Sequence, residues 1–415
     1  MYFFEWLTWL SYIDPKEERD AFEKKHKKIK LKTVYENDDQ EMITAAKNPA
    51  SSSPKSRGPV YACNEHILEM RYGMWENKRG LISIISATIV ATITSFAYMS
   101  ATSLIRLVDI VRNDQGEPYG AHIFIATLTS SLMILISIIY IKYGLCITRL
   151  EMFTSRHLLI RFNRSTQQVH LHRPTYCGGI VTLPWHGVTS NGSNINYAAA
   201  GGVGLPLVLM WPPSFAGALH PELAHVGKAA NNFTELQSEW EFIRRFMDEG
   251  PEDLPRPPMT SHFPWPWQAF TPQFEGLTHY FRKSSRIIKL GLVLISPAFL
   301  IIGTGHWLSL MLCWKPRWPK IIREAGLPGK PVPPLTTVND YPPAIQERLR
   351  ENAYLWAVRP GKRPERKKRT STRRLKTEVE TSTAQMSRPR EAPVMISHDD
   401  AVKSRSADSK NIGSP

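Results

Sequence analysis

Two long stretches without a single charge dominate the hydropathy pattern of this chain. Leu81–Ile105 and Ala121–Ile141 contain no Asp, Glu, Lys or Arg. At about 1.5 Å rise per residue, either is long enough as a helix to cross a hydrocarbon core of about 30 Å. The pattern predicts a transmembrane helical hairpin over residues 81–147. A third apolar stretch, Leu290–Trp314, is interrupted by Pro297, Gly303 and Gly305. It has basic residues on both sides: Arg282, Lys283, Arg286 and Lys289 before it, Lys315, Arg317, Lys320 and Arg323 after it. Cations favour the cytoplasmic side, so both ends should lie together, yet two full crossings need about 40 residues. The expectation is a broken, shallow membrane-embedded segment at 287–314, with one straight crossing as the alternative.

Between the hairpin and the third stretch the period changes. His157–Phe162 is a short apolar run, and Asn163–Thr166 has turn chemistry. Gln167–His172 then alternates, with Val169 and Leu171 on one side and Gln168, His170 and His172 on the other. Further strands are expected at Gly179–Leu183, Asn194–Ala198 and Pro206–Trp211. A helix follows, with Thr234 as N-cap, Gln237 completing a capping box, and Leu236, Trp240, Ile243 and Met247 as its apolar stripe. Gly250-Pro251 ends it. Glu239, Glu241, Asp248 and Glu249 read as its solvated side. The fold class is therefore a membrane α-helical hairpin plus an α+β soluble domain over 148–250, a small bent sheet or barrel closed by a C-terminal helix.

The remainder divides by composition. Residues 1–80 read as an aromatic and charged segment with a linker. Within it Met1–Ile13 lacks the basic start of a secretory signal and is either an interfacial helix or one packed on the soluble domain. Residues 251–286 are a Pro- and Trp-rich linker. Residues 315–415 read as a basic, mostly disordered tail, apart from a short helix at Pro343–Ala357.

The formal net charge is +15, yet mean hydropathy is only −0.27, so most of the mass lies outside lipid. Arg359–Arg390 carries much of the positive excess. Such a run suits anionic lipid headgroups, an acidic protein surface or nucleic acid. In a chain already held in a membrane the first two are expected, a merely solvating tail is the alternative, and nucleic acid is not expected. The four cysteines, Cys63, Cys146, Cys177 and Cys313, are widely spaced and form neither a disulfide framework nor a zinc motif. A reducing compartment follows, and the basic outer flanks of the hairpin place the soluble domain in the cytoplasm.

Catalytic signatures are missing from the sequence: no G-x-x-x-x-G-K-[ST], no G-x-S-x-G and no H-E-x-x-H occurs. Gly201-Gly202-Val203-Gly204 lacks the strand and helix that frame a phosphate loop. His220 and His225 in HPELAH are spaced poorly for two ligands on one helical face, and His306 beside Trp307 reads as an interfacial residue. No cofactor, metal or catalytic residue is assigned. The candidate interaction residues are Arg244 and Arg245, set among aromatics on the capped helix, and the tryptophans Trp185 and Trp240. For the arginines the competing role is solvated charge over apolar stems; for Trp185 it is core packing.

The segments IRFNRSTQQVHLHRP (Ile160–Pro174), IVTLPWHGV (Ile180–Val188), WEFIRRFMDEGPEDLP (Trp240–Pro255) and WKPRWP (Trp314–Pro319) carry a resemblance. Over about Met70–Leu327 the chain resembles an uncharacterised family of proteobacterial membrane proteins, a domain of unknown function often met near type VI secretion loci. The strand–turn–strand and "PW" strand are similar to membrane-tethered pleckstrin-homology-like (PH-like) domains. The resemblance implies a multi-pass inner-membrane protein and supplies no catalytic residues. The expected function is non-enzymatic: the cytoplasmic domain binds an unidentified protein partner, as a type VI secretion-associated accessory or immunity protein. The rival readings are a peripheral clamp for acidic lipid headgroups and a membrane-bound toxin or hydrolase.

Overall fold

The computed structural model describes residues 2–16, 43–44, 46–74, 79–113, 119–193, 206–230, 232–274, 281 and 284–356. The chain divides into two units, Met1–Trp356 and Ala357–Pro415, and the second lies outside the described residues, as does the expected strand Asn194–Ala198.

Among the described residues, three helices are long and apolar enough to cross a membrane. Helix α1 is the short Phe3–Ile13 segment. Helix α2 spans Leu81–Asn113, and α3 spans Tyr119–Ile139 and continues through a π turn at Tyr140–Gly144 into Leu145–Thr148. Their outward side chains are apolar and uncovered, and their shared seam carries hydroxyl pairs. Ser100 Oγ lies 2.6 Å from Ser130 Oγ, and Ser86 Oγ lies 2.8 Å from Thr148 Oγ1. Small polar residues at a seam let helices approach closely where lipid offers no hydrophobic drive to associate.

The third long helix corrects the expectation of a break. It runs unbroken from Arg286 to Leu312 (27 residues), through Pro297, Gly303 and Gly305. Pro297 cannot donate to the Val293 carbonyl, and the Ser296 hydroxyl takes that role at 2.7 Å. Gly303 and Gly305 mark close approaches instead of breaks. A Cβ on Gly303 would meet the Phe270 ring at 2.5 Å, and one on Gly305 would meet the Gly80 carbonyl at 2.5 Å. Phe270 belongs to a nine-residue helix, Pro266–Phe274, which lies antiparallel beside the long helix. Its Phe274 ring is 5.8 Å from Phe299, a turn further from the Cys313 end. The chain thus climbs along the long helix before descending through it, and Arg286 ends up about 36 Å from Leu310 along the axis.

Among the described residues, eight strands form one antiparallel sheet: β1 (Val60–Cys63), β2 (Ile67–Tyr72), β3 (Leu158–Asn163), β4 (Gln168–His172), β5 (Val181–Pro184), β6 (Thr189–Ser190), β7 (Leu207–Trp211) and β8 (Glu222–Val226). The order is β5-β4-β3-β2-β8-β7-β6, with β1 on β2. Its outermost strands, β5 and β6, are successive in the chain, and the Trp211 indole on β7 donates to the Pro184 carbonyl on β5 at 2.9 Å. The sheet is therefore strongly bent. Strand β2 precedes the membrane hairpin, in a segment expected to be linker, and it supplies the middle of the sheet. Its Leu68, Met70 and Tyr72 face the core while Glu69 and Arg71 alternate outward. Strand β8 likewise carries little strand signal in the sequence, because HPELAH offers few apolar residues.

Three further segments complete the unit. Helix α4 (Phe233–Asp248) fills the concave side with Leu236, Trp240, Phe242, Ile243, Phe246 and Met247. Its N-cap is Asn232, whose side chain accepts from the Glu235 amide at 2.9 Å, two residues before the expected Thr234. In chain order the helix at Pro266–Phe274 is α5 and Arg286–Leu312 is α6. Residues 314–341, expected in a disordered tail, form a strap across the outer face of the sheet. It buries Trp318 and Ile322 against Tyr61 and Leu159. Helix α7 (Pro343–Trp356) then packs on α1, where Asn352 donates to the Tyr12 and Ile13 carbonyls. Of the two readings for the N-terminal segment, the packed one holds: Trp9, Tyr12 and Ile13 are buried against Val338, Tyr341 and Leu349.

Candidate functional site

The densest polar chemistry lies where the long helices enter the sheet domain. An α-helix leaves its first N–H groups and last C=O groups without partners. At the start of α2 those donors are taken by Glu151, which follows α3 in the chain. One carboxylate oxygen accepts from the Gly80 amide, the Ser83 amide and the Ser83 hydroxyl, each at 3.0 Å. A carboxylate at a helix N-terminus also meets the positive end of the helix dipole. At the end of α6 the roles invert. The Arg156 guanidinium donates to the Leu310, His262 and Cys313 carbonyls at 2.8–2.9 Å.

Arg79 ties the two ends together. It is fully buried and donates to Ser309 Oγ at 2.8 Å, the Arg156 carbonyl at 2.6 Å and the Glu151 carbonyl at 3.1 Å. The Tyr2 ring lies 5.6 Å from its guanidinium, and the Tyr2 hydroxyl bonds the Ser155 carbonyl. Beside it, Gln273 on α5 donates to the Arg79 carbonyl at 3.4 Å and lies 3.3 Å from His306 Nδ1. His306 is buried here, so its expected interfacial place is corrected: it faces α5. Burying an arginine without partners costs several kcal/mol. Here its donors meet fixed acceptors from α6 and from the link between α3 and β3, which makes the root a rigid joint.

A second charged network fixes α1 and α7 to β8. Arg173 and Glu222 are both buried and pair at 2.7 Å. His220 is buried beside them, with Tyr12 stacked on its ring at 4.2 Å. Burial drives its pKa down, against the pull of Glu222.

The four candidate interaction residues converge on α4. The Trp185 indole donates to Asp248 at 2.9 Å, and its ring centroid lies 5.7 Å from that of Trp240. Both tryptophans are core residues. Arg244 is buried and bonds Glu241 at 2.8 Å, with Asp248 at 3.4 Å and Glu249 at 3.1 Å. Arg245 bonds Glu241 at 2.6 Å. The cluster is thus engaged within the chain.

The solvated-face reading of Glu239 and Glu241 is overturned, since both are fully buried. The cause is the segment before β1, which lies along α4. The Ala50 amide donates to Glu241 at 2.9 Å, the Lys55 amide donates to the Ser238 carbonyl at 3.0 Å, and Arg57 bonds Glu235 at 2.8 Å. Burial pushes the Glu239 carboxyl up to about 8, against Arg57 and the amides of Arg57 and Gly58. For Glu241 burial also acts upward, but the bonds from Arg244, Ala50 and Arg245 hold it down at about 2. No spacing rule within α4 could expose this, because the covering segment lies about 190 residues away in the chain.

Among the described residues no three His, Cys, Asp or Glu side chains are placed to hold a metal ion. The root and the α4 cluster are built to hold segments in register.

Residues 224–327 match a protein-family model, "Family of unknown function (DUF6708)". That is roughly a quarter of the chain, running from β8 through α4, α5 and α6 into the strap. The match agrees with the expected resemblance to an uncharacterised family. No curated protein and no solved structure matches the chain.

Proposed function

We propose that this chain is a multi-pass inner-membrane protein that acts by binding: it holds a PH-like sheet domain at the cytoplasmic surface and offers it to a protein partner. One observation carries the partner reading. The strap across the sheet keeps large apolar side chains in water at Leu327, Val332 and Leu335, although it is firmly pinned. Asn163 donates to the Ala325 carbonyl at 2.9 Å, Gln168 to the Pro333 carbonyl at 2.8 Å, and the Thr336 amide to the Thr182 carbonyl at 3.0 Å. A pre-ordered, Pro-rich strip with uncovered apolar residues loses little entropy on docking. The bent antiparallel sheet filled by one helix supports the PH-like reading. The family resemblance supports a role as an accessory or immunity protein of a type VI secretion locus.

Photo-crosslinking in cells tests the reading. The full-length chain carries a photoreactive residue at Val332, at Leu335, or at the exposed control position Glu252. A discrete protein adduct at the strap positions, absent at Glu252, is expected. Adducts equal at all three positions, or none at the strap, overturn it.

A further inference from the structure

The helix root carries an aromatic rim on its outside. Phe153, Phe263, Trp265, Trp267 and Trp314 are 41–58% exposed, high values for such large rings. They are fixed in place. Phe153 has φ of +54°, a left-handed conformation that bulky residues rarely adopt. Its neighbour Thr154 accepts the Trp314 amide at 3.2 Å, and Arg156 donates its amide to the Trp314 carbonyl at 2.8 Å. Arg156 also holds the His262 carbonyl, one residue before Phe263. Trp265 and Trp267 stack with centroids 4.8 Å apart, and the Trp307 indole, on α6, donates to the Pro264 carbonyl at 3.0 Å. Exposed Lys315 and Arg317 follow Trp314 directly.

We infer that this rim is a lipid-binding surface lying at the glycerol and headgroup level of a phospholipid bilayer, with Lys315 and Arg317 at the phosphates. The inference rests on the membrane reading above. Three features favour lipid as the occupant. The rim is continuous with the apolar faces of α2, α3 and α6 and sits at their domain-side ends. Its three tryptophans are of the amphipathic type that collects at the boundary between hydrocarbon and water. The cations lie in the chain between Trp314 and Trp318, which packs on the sheet, and the Arg317 carbonyl meets His172 on β4, so they flank the rim toward the domain, where a bilayer presents phosphate. The rim therefore places the bilayer plane directly against the sheet domain, with the bases of the sheet strands within headgroup reach.

Spin labels measure this depth. The full-length chain, with Cys63 and Cys146 replaced by Ser, is reconstituted into phosphatidylcholine–phosphatidylglycerol vesicles. Nitroxides are attached singly at Trp265, Trp314, Ile134 and Val332 through W265C, W314C, I134C and V332C. Relative collision rates with oxygen and a water-soluble nickel chelate give depth. The expected result is Ile134 deep in hydrocarbon, Val332 in water, and Trp265 and Trp314 at the interface. If Ile134 is deep while both rim positions are aqueous, the rim inference falls and the spans stand. If Ile134 is aqueous, both fall. A companion W265S/W267S variant should shift a W314C label toward water, and an unchanged depth there would also count against a cooperative rim.

Discussion

Arg79 and Glu151, both wholly buried, hold one another through the backbone. The Arg79 guanidinium donates to the Glu151 carbonyl at 3.1 Å, while the Glu151 carboxylate receives the amide of Gly80, the next residue in the chain, at 3.0 Å. The start of α2 and the end of α3 are thereby joined.

Removing the carboxylate strands two amides and a hydroxyl. Glu151→Ala is expected to destabilise the full chain by about 3 kcal/mol, since each buried donor left alone costs ~1–3 kcal/mol. Glu151→Gln, which keeps an acceptor oxygen, should lose less. Thermal unfolding of detergent-purified protein, followed by intrinsic fluorescence, gives the order; equal midpoints for the two variants would refute the capping role.

Gly80 sits at φ of +111°, and a Cβ there would overlap the Ile302 carbonyl and lie 2.6 Å from the His306 amide. Gly80→Ala should therefore push α6 off α2 as well as strain the backbone. Thermal unfolding of the detergent-purified variant, followed by intrinsic fluorescence, should begin at a lower temperature than in the parent. An unchanged midpoint would contradict the packing.

The buried Glu239 carboxyl gives the covering segment a pH dependence. Its ordinary value near 4.5 rises to about 8 in the folded protein, so the folded state binds the extra proton. That stabilisation is complete below about pH 4.5 and is lost as pH rises toward 8. Hydrogen exchange over residues 50–58, corrected for intrinsic rates, should show less protection at pH 9 than at pH 6. Glu239→Gln should flatten the difference, and a slope that persists in that variant would assign it to another group.

Glu241 holds two guanidinium groups, of which Arg244 is buried and Arg245 partly open. Glu241→Ala leaves buried Arg244 only Asp248 and Glu249 and takes the carboxylate from Arg245, and should cost about 3 kcal/mol, whereas Arg245→Ala should cost under about 1 kcal/mol. Chemical unfolding in detergent distinguishes them, and a reversed order would show that the cluster is not anchored on Glu241.

The path of the chain can be read by labelling with an impermeant maleimide. Cysteines at Val332 and Glu252 should react from one side of the membrane and a cysteine at Gln115 from the other. Opposite sides for Val332 and Glu252 would disprove the climb along α5 and return through α6.

The local signals were legible where one element carries them alone. Leu81–Ile105 declared a span by lacking charge, and Val169 and Leu171 declared β4 by alternation. Elements defined by partners far along the chain were not legible. Ile67–Tyr72 is a strand because β3 and β8 flank it, and its outward Glu69 is sheltered by the Trp318 indole, which donates to it at 2.8 Å. Glu239 and Glu241 show helical spacing suited to solvent, and only residues 50–58 make them interior. Pro297 looked like a break because its effect depends on whether a neighbouring hydroxyl answers the freed carbonyl, and Ser296 does.

The central place of β2 has a consequence for biogenesis. That strand leaves the ribosome before either membrane helix, yet its partner β3 emerges only after both have been made, and β8 later still. The nascent chain must therefore carry a strand paired with β1 alone through the whole insertion of the hairpin. Closure of the sheet becomes a late event that follows entry into the bilayer. A hairpin that inserts wrongly would leave β2 on the wrong side of the lipid from its partners, so correct threading is a precondition for the domain to exist at all.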